Sequence, residues 1–210
     1  MRFRMESITP KIWLMVYPTI ESMARALIRI SEYYESPRFR GRTGFTVADY
    51  KAWCKEEGRK FTFYKDWRGF NLPVRDLAPF RDGLFDPLSR AEKAVLKACA
   101  KLPKNAYVIA VAARCRKSPG LIDHELAHGL YALDRQYRRD VRQALRGVDL
   151  TEVHKELDAT RCYHPAVRMD EAQAYVVSND LDSVRELPRS LRPRLLQIFR
   201  EALRRHGVRR

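Results

Sequence analysis

The ten residues Leu121-Ile122-Asp123-His124-Glu125-Leu126-Ala127-His128-Gly129-Leu130 constrain this chain more than any other stretch. They set His124, Glu125 and His128 in the pattern His-Glu-x-x-His within a helical period. Residues four apart on an α-helix stand one above the other, so the two imidazoles can converge on one metal ion. Glu125, beside them, is placed to reach a water in an open coordination position, which makes it the candidate general base. Ala127 and Gly129 leave room beside the second histidine. Two histidines do not hold zinc tightly, so a third protein ligand must come from elsewhere in the chain.

The surroundings of the motif fit this reading. The run Ala106 to Ala113 is the strongest strand candidate and is apolar on both faces, and a basic loop, Arg114-Cys115-Arg116-Lys117, follows it. Ser118-Pro119 reads as an N-cap with proline at the first helical position. Leu126, Leu130, Leu133, Tyr137 and Val141 predict a helix over 119–145, with a break at Asp134 left open by the polar run that begins there. Glu152, Glu156, Asp158, Asp170 and Glu171 all qualify by type as the third ligand, and His154 with Asp158 makes a separate pair four residues apart. A solvated helix face explains Glu152 to Asp158 more simply. Glu171 is preferred because Ala172, Ala174 and Val176 mark a short helix, entered at Met169, that packs closely on the core, where an unpaired carboxylate is costly.

His124-Glu125-Leu126-Ala127-His128, with Asp170-Glu171-Ala172-Gln173-Ala174 beginning some forty residues on, resembles the zincin metallopeptidases, specifically the gluzincin branch. The resemblance covers mainly residues 106–178. It implies His124, His128 and Glu171 as ligands of one catalytic Zn2+, Glu125 as base and proton shuttle, and a strand whose edge receives the substrate backbone, a role it gives to Ala106 to Ala113. The best-known members carry Asn before the ligand glutamate and, four residues after it, an Asp that orients the first zinc histidine; here those places hold Asp170 and Tyr175. Asp170, Asp123 or a backbone carbonyl is left to take over the orienting task. Tyr175, one turn after Glu171, is the first candidate for a catalytic oxyanion donor, with Tyr163 and His164 next; a core ring and a turn-shaping histidine are the plainer readings of Tyr175 and His164.

The implied fold is α+β and zincin-like, mostly helical, with a small mixed or antiparallel sheet packed on the active-site helix. A chain of 210 residues suits one sizeable core. The expectation is a single metallopeptidase-like domain over 1–210, with a helical N-terminal part at 1–60, a zincin-like core at 106–178 and a C-terminal helix at 190–207. After a short lead-in, helical periods run from Pro18-Thr19 to Glu35, from Thr46 to Gly58, and from the capping box Ser89/Glu92 to Leu102. Residues 61–72 alternate partly and carry several aromatics. They predict one or two strands or an extended loop whose rings pack into a core, with base stacking by rings interleaved with Lys65 and Arg68 as the rival.

The formal net charge of +15, from 41 Lys plus Arg against 26 Asp plus Glu, would attract an acidic protein or a nucleic acid. No zinc finger, Gly-rich phosphate loop or RNA-recognition motif supports nucleic-acid contact. Four scattered cysteines, at 54, 99, 115 and 162, predict thiols in a reducing compartment, with Cys115 to Cys162 as the pairing if the chain is exported. No signal peptide and no membrane span is expected, and the localisation is cytoplasmic. The leading function is zinc-dependent hydrolysis of a peptide or protein substrate. The alternatives are a catalytically inactive zincin-like binding protein, for a protein or nucleic-acid partner, and another His2Glu metal-dependent hydrolase or non-haem iron enzyme.

Overall fold

The computed structural model of the chain describes residues 3–160 and 163–208. In order it forms β1 (Arg4–Ser7), β2 (Ile12–Tyr17), α1 (Ile20–Glu35), α2 (Val47–Glu56), the single turn α3 (Phe63–Asp66), β3 (Gly69–Pro73), the single turn α4 (Ala78–Arg81), α5 (Arg90–Cys99), β4 (Tyr107–Ala112), α6 (Leu121–Leu133), α7 (Arg135–Ala144), α8 (Thr151–Thr160), α9 (Arg168–Ser178) and α10 (Leu191–Arg205). Among the described residues no helix is long and apolar enough to cross a membrane. Cys54, Cys99 and Cys115 are buried thiols outside any disulfide, and Cys162 lies outside the described residues.

The four strands make one mixed sheet in the order β1-β2-β4-β3, parallel between β2 and β4 and antiparallel at the other two seams. Ile12, Leu14 and Val16 of β2, with Tyr107, Ile109 and Val111 of β4, face a core completed by α6, α7, α9 and α10. The alternate residues Met15, Tyr17, Val108, Ala110 and Ala112, with Phe70 and Leu72 of β3, face α1, α2 and α5. Helices on both faces account for the unbroken apolar run of β4: a strand covered on both sides has no polar face to show. The result is a mostly helical α+β architecture of zincin-like type, with its small mixed sheet packed on α6.

Reciprocal side-chain caps start three helices where the sequence places them: Thr19 with Ser22 for α1, Thr46 with Asp49 for α2 and Ser89 with Glu92 for α5. Elsewhere the structure corrects the expectation. The lead-in is the β1–β2 hairpin: β1 has only four residues, and β2, buried along almost its whole length, is apolar throughout and shows no alternation. Ser118-Pro119 does not cap α6; Gly120 does, at φ +74°, where a Cβ would stand 2.7 Å from the Ser178 carbonyl oxygen of α9. The break left open at Asp134 is present: the residue takes an extended conformation and accepts hydrogen bonds from the Gln136 and Tyr137 amides at the start of α7. Residues 61–72 give one helical turn and then β3, and their rings stack on one another, Phe63 on Trp67 at 4.1 Å, as the core reading requires.

The strand at the substrate edge also changes. Ala106 to Ala113 supplies β4, which lies between β2 and β3 and has no open edge. The open edge beside α6 belongs to β3, with Pro73 at its far end, where a missing N–H disturbs no ladder.

One buried ion pair ties the N-terminal helix to the rest. Arg29 of α1 donates to both Glu92 oxygens, at 2.7 and 2.8 Å, and to the Phe85 carbonyl at 3.0 Å. Glu92→Ala leaves that guanidinium buried without its carboxylate and removes the half of the α5 capping box in which Glu92 accepts from the Ser89 amide. We expect a loss of about 3–5 kcal/mol in chemical denaturation. A loss below about 1 kcal/mol, the worth of a surface pair, would contradict it.

Candidate metal centre

The site is built by two helices running antiparallel in step. Gly120, His124 and His128 rise along α6 at intervals of four, and Ser178, Tyr175 and Glu171 descend along α9 at intervals of three and four. These intervals keep each set on one helix face. Gly120 meets Ser178, the His124 ring packs edge-on against Tyr175 at 4.5 Å between centroids, and His128 Nε2 stands 3.7 Å from Glu171 Oε1. Small buried residues, Ala127 on α6 and Ala172 and Ala174 on α9, belong to the same core.

His124 Nε2 and His128 Nε2 face each other at 3.2 Å, and Glu171 Oε2 lies 4.0 Å from His124 Nε2. The three ligand atoms fall within 4.8 Å of one another. Nitrogens held about 2.0–2.1 Å from a tetrahedral zinc stand about 3.3 Å apart, so the imidazole spacing suits that ion, and His2Glu with an open fourth position is the donor set of a catalytic zinc. Among the described residues no other group of three His, Cys, Asp or Glu side chains converges in this way. Among the described residues His154 and Asp158 belong to no such group.

The orienting partners differ from those of the best-known gluzincins. Asp170 accepts from His128 Nδ1 at 3.0 Å, which fixes the tautomer that leaves Nε2 open toward the centre. Gln173 Nε2 donates to Asp170 at 3.0 Å, and Tyr137 donates to Gln173 Oε1 at 2.6 Å, so α7 braces α9 through a buried relay. On the other ligand, His124 Nδ1 lies 3.4 Å from Ser178 Oγ. Asp170 is therefore an orienting carboxylate for the second histidine.

The site is deeply buried and rich in negative charge. Burial pushes the Glu171 carboxyl up to about 7, with Asp170 and Glu125 adding to the rise and His128 and a Tyr163 hydrogen bond opposing it. Burial works against a charged His128, but the carboxylates of Asp170 and Glu171 outweigh it and raise His128 well above its ordinary range. Glu35, at the end of α1, is raised well above a normal carboxyl by burial and by Glu171.

Glu125 is buried beside the pair of histidines, and its carboxylate is wedged against β3: a methyl group at Gly69 would overlap both Oε1 and Cδ. Gly69 is thus required at the head of the edge strand. The remaining space, about 50 Å³, holds a water or two and is walled by Trp67, Leu121, Tyr163 and Tyr175. Arg68 and Asp180, which also line it, form an ion pair of 3.2 Å. Tyr175 and Tyr163 therefore both reach the cleft. His164 does not line it: its Nδ1 accepts from the Ala166 amide and shapes the turn into α9. Gln173 and Ser178 share faces of α9 with Asp170 and Glu171 and were findable by spacing. Gly69, Arg68 and Glu35 carry no local signal, since only the fold brings them here.

His124-Glu125-x-x-His128 with the distal Glu171 matches the zinc-binding motif of gluzincin type in both residues and geometry. No protein family model, no curated protein and no solved structure matches this chain. We expect Asp170→Ala to weaken zinc binding about 10–100-fold in a chelator competition while the fold persists. Unchanged affinity would show that His128 needs no carboxylate behind it.

Proposed function

We propose that the protein is a zinc-dependent peptidase, in which His124, His128 and Glu171 hold the metal and Glu125 is the general base. The observation that carries this reading is the joint placement of three ligand atoms within 4.8 Å of one another and the Glu125 carboxylate, which lines the same small cleft as His124. Zinc bound there supplies a Lewis acid for the scissile carbonyl and lowers the pKa of an attacking water. Glu125 takes the proton of that water and returns it to the leaving amine. Its position against Gly69 limits the rotamers available to it, so the carboxylate is aimed before substrate arrives. Tyr175, beside His124 and lining the cleft, is the proposed donor to the developing oxyanion. A peptide adds as a strand along the open edge of β3, next to the cleft that Trp67 and Tyr163 help to line. The buried thiols Cys54, Cys99 and Cys115 support a reducing, cytoplasmic setting.

Glu125→Gln keeps the shape of the side chain and removes the base. It is expected to retain zinc and to lose about 10²–10⁴-fold in turnover of a quenched peptide library. Tyr175→Phe is expected to lose about 10²-fold in kcat with zinc content intact. Turnover undiminished in Glu125→Gln would sink the mechanism.

A further inference from the structure

We infer that the groove next to the metal centre is a subsite for an acidic side chain of the substrate peptide, with Arg68 as its central contact. The inference rests on the peptidase reading and names its substrate class.

Arg68 lines two spaces at once. On one side lies the small cleft with His124 and Glu125; on the other is a groove of about 480 Å³ bounded by Ile20, Lys65, Asp66, Arg114 and Cys115. Gly69 is pressed on the base, and the Cα of Arg68 is one peptide step, about 3.8 Å, from that of Gly69. A carboxylate held by Arg68 therefore belongs to a residue close to the bond being cut. The position identifies a specificity contact rather than a remote patch.

The charges in the groove are poised for an anion. Lys65 and Arg114 are exposed and make no ion pair among the described residues, against one lining carboxylate, Asp66. Arg68 is paired with a single oxygen of Asp180, and both side chains are about half exposed. A pair of that kind contributes at most about 1 kcal/mol, so an incoming carboxylate that engages the guanidinium fork at two points replaces it easily. The same exchange parts Arg68 from Asp180, which also lines the small cleft. A nucleic acid would use these cations differently, stacking bases on open rings. The rings here are already occupied: Phe63 lies on Trp67, Arg25 sits over Tyr64 at 4.6 Å and Lys51 over Phe61 at 4.8 Å.

The test uses the zinc-loaded full chain and matched peptides carrying Glu, Gln or Lys at each position flanking the cleaved bond. The expected result is a kcat/KM for Glu over Gln of about tenfold at one such position, shrinking as salt is added. Arg68→Ala and Arg114→Ala should bring that ratio close to one, and Arg68→Lys should restore part of it. In parallel, fluorescence anisotropy of the same Glu and Gln peptides on the Glu125→Gln protein reads recognition without turnover. Selective binding with no hydrolysis by the wild type would leave the subsite standing and end the peptidase reading. Hydrolysis without any preference for Glu, or a preference untouched by Arg68→Ala, would overturn the subsite alone. Equal binding of all peptides, with a single-stranded oligonucleotide bound through Arg68 and Arg114, would overturn it in favour of a nucleic-acid surface.

Discussion

The close antiparallel approach of α6 and α9 is the contact on which the rest of the site depends. A spacing of four along α6 and of three or four along α9 brings Gly120 to Ser178, His124 to Tyr175 and His128 to Glu171 as successive rungs. Moving either helix by one residue would rotate a side chain about 100° away from its partner. Gly120 closes one end, since any side chain there would strike α9. Asp134 closes the other: it ends α6, caps α7 and binds Arg205 at 2.9 Å, fixing the corner against α10. The sheet contributes through β3, whose first residue, Gly69, lies against the Glu125 carboxylate.

This arrangement concentrates buried carboxylates. Glu125, Asp170, Glu171 and Glu35 surround the two imidazoles in a region with little access to water. Such a cluster is costly unless positive charge enters it. In the protein alone protons supply part of that charge, as the raised Glu171, Glu35 and His128 show. A divalent cation answers the same demand more completely, and the two Nε2 atoms already point where it would sit. Asp170 then has a double task, holding the His128 ring and tuning its basicity, while Gln173 and Tyr137 keep Asp170 from turning away.

How much of this could be read from the chain divides along a physical line. The ligands and their helix were legible because they depend on local spacing, His124 to His128 on one face and Glu171 among small residues on another. Capping boxes were legible for the same reason, as at Ser89 and Glu92. What stayed hidden depends on contacts far apart in sequence. The run at Ala106 to Ala113 reads as a strand, but nothing in it reveals that β2 and β3 enclose it. Gly69 looks like any loop glycine until β3 is laid against Glu125. The second-histidine role of Asp170 could be offered as one option among several, and only the 3.0 Å contact selects it. Arg68 and Asp180, over a hundred residues apart, meet at the cleft with no trace in the sequence pattern.

Everything above turns on Glu171 completing a metal site with His124 and His128. The most direct measurement is elemental mass spectrometry of the wild type and of Glu171→Ala, purified identically and after zinc reconstitution. The account predicts about one zinc per wild-type chain and a clear loss in the variant. Absence of bound metal in the wild type, or equal zinc in both proteins, would contradict it.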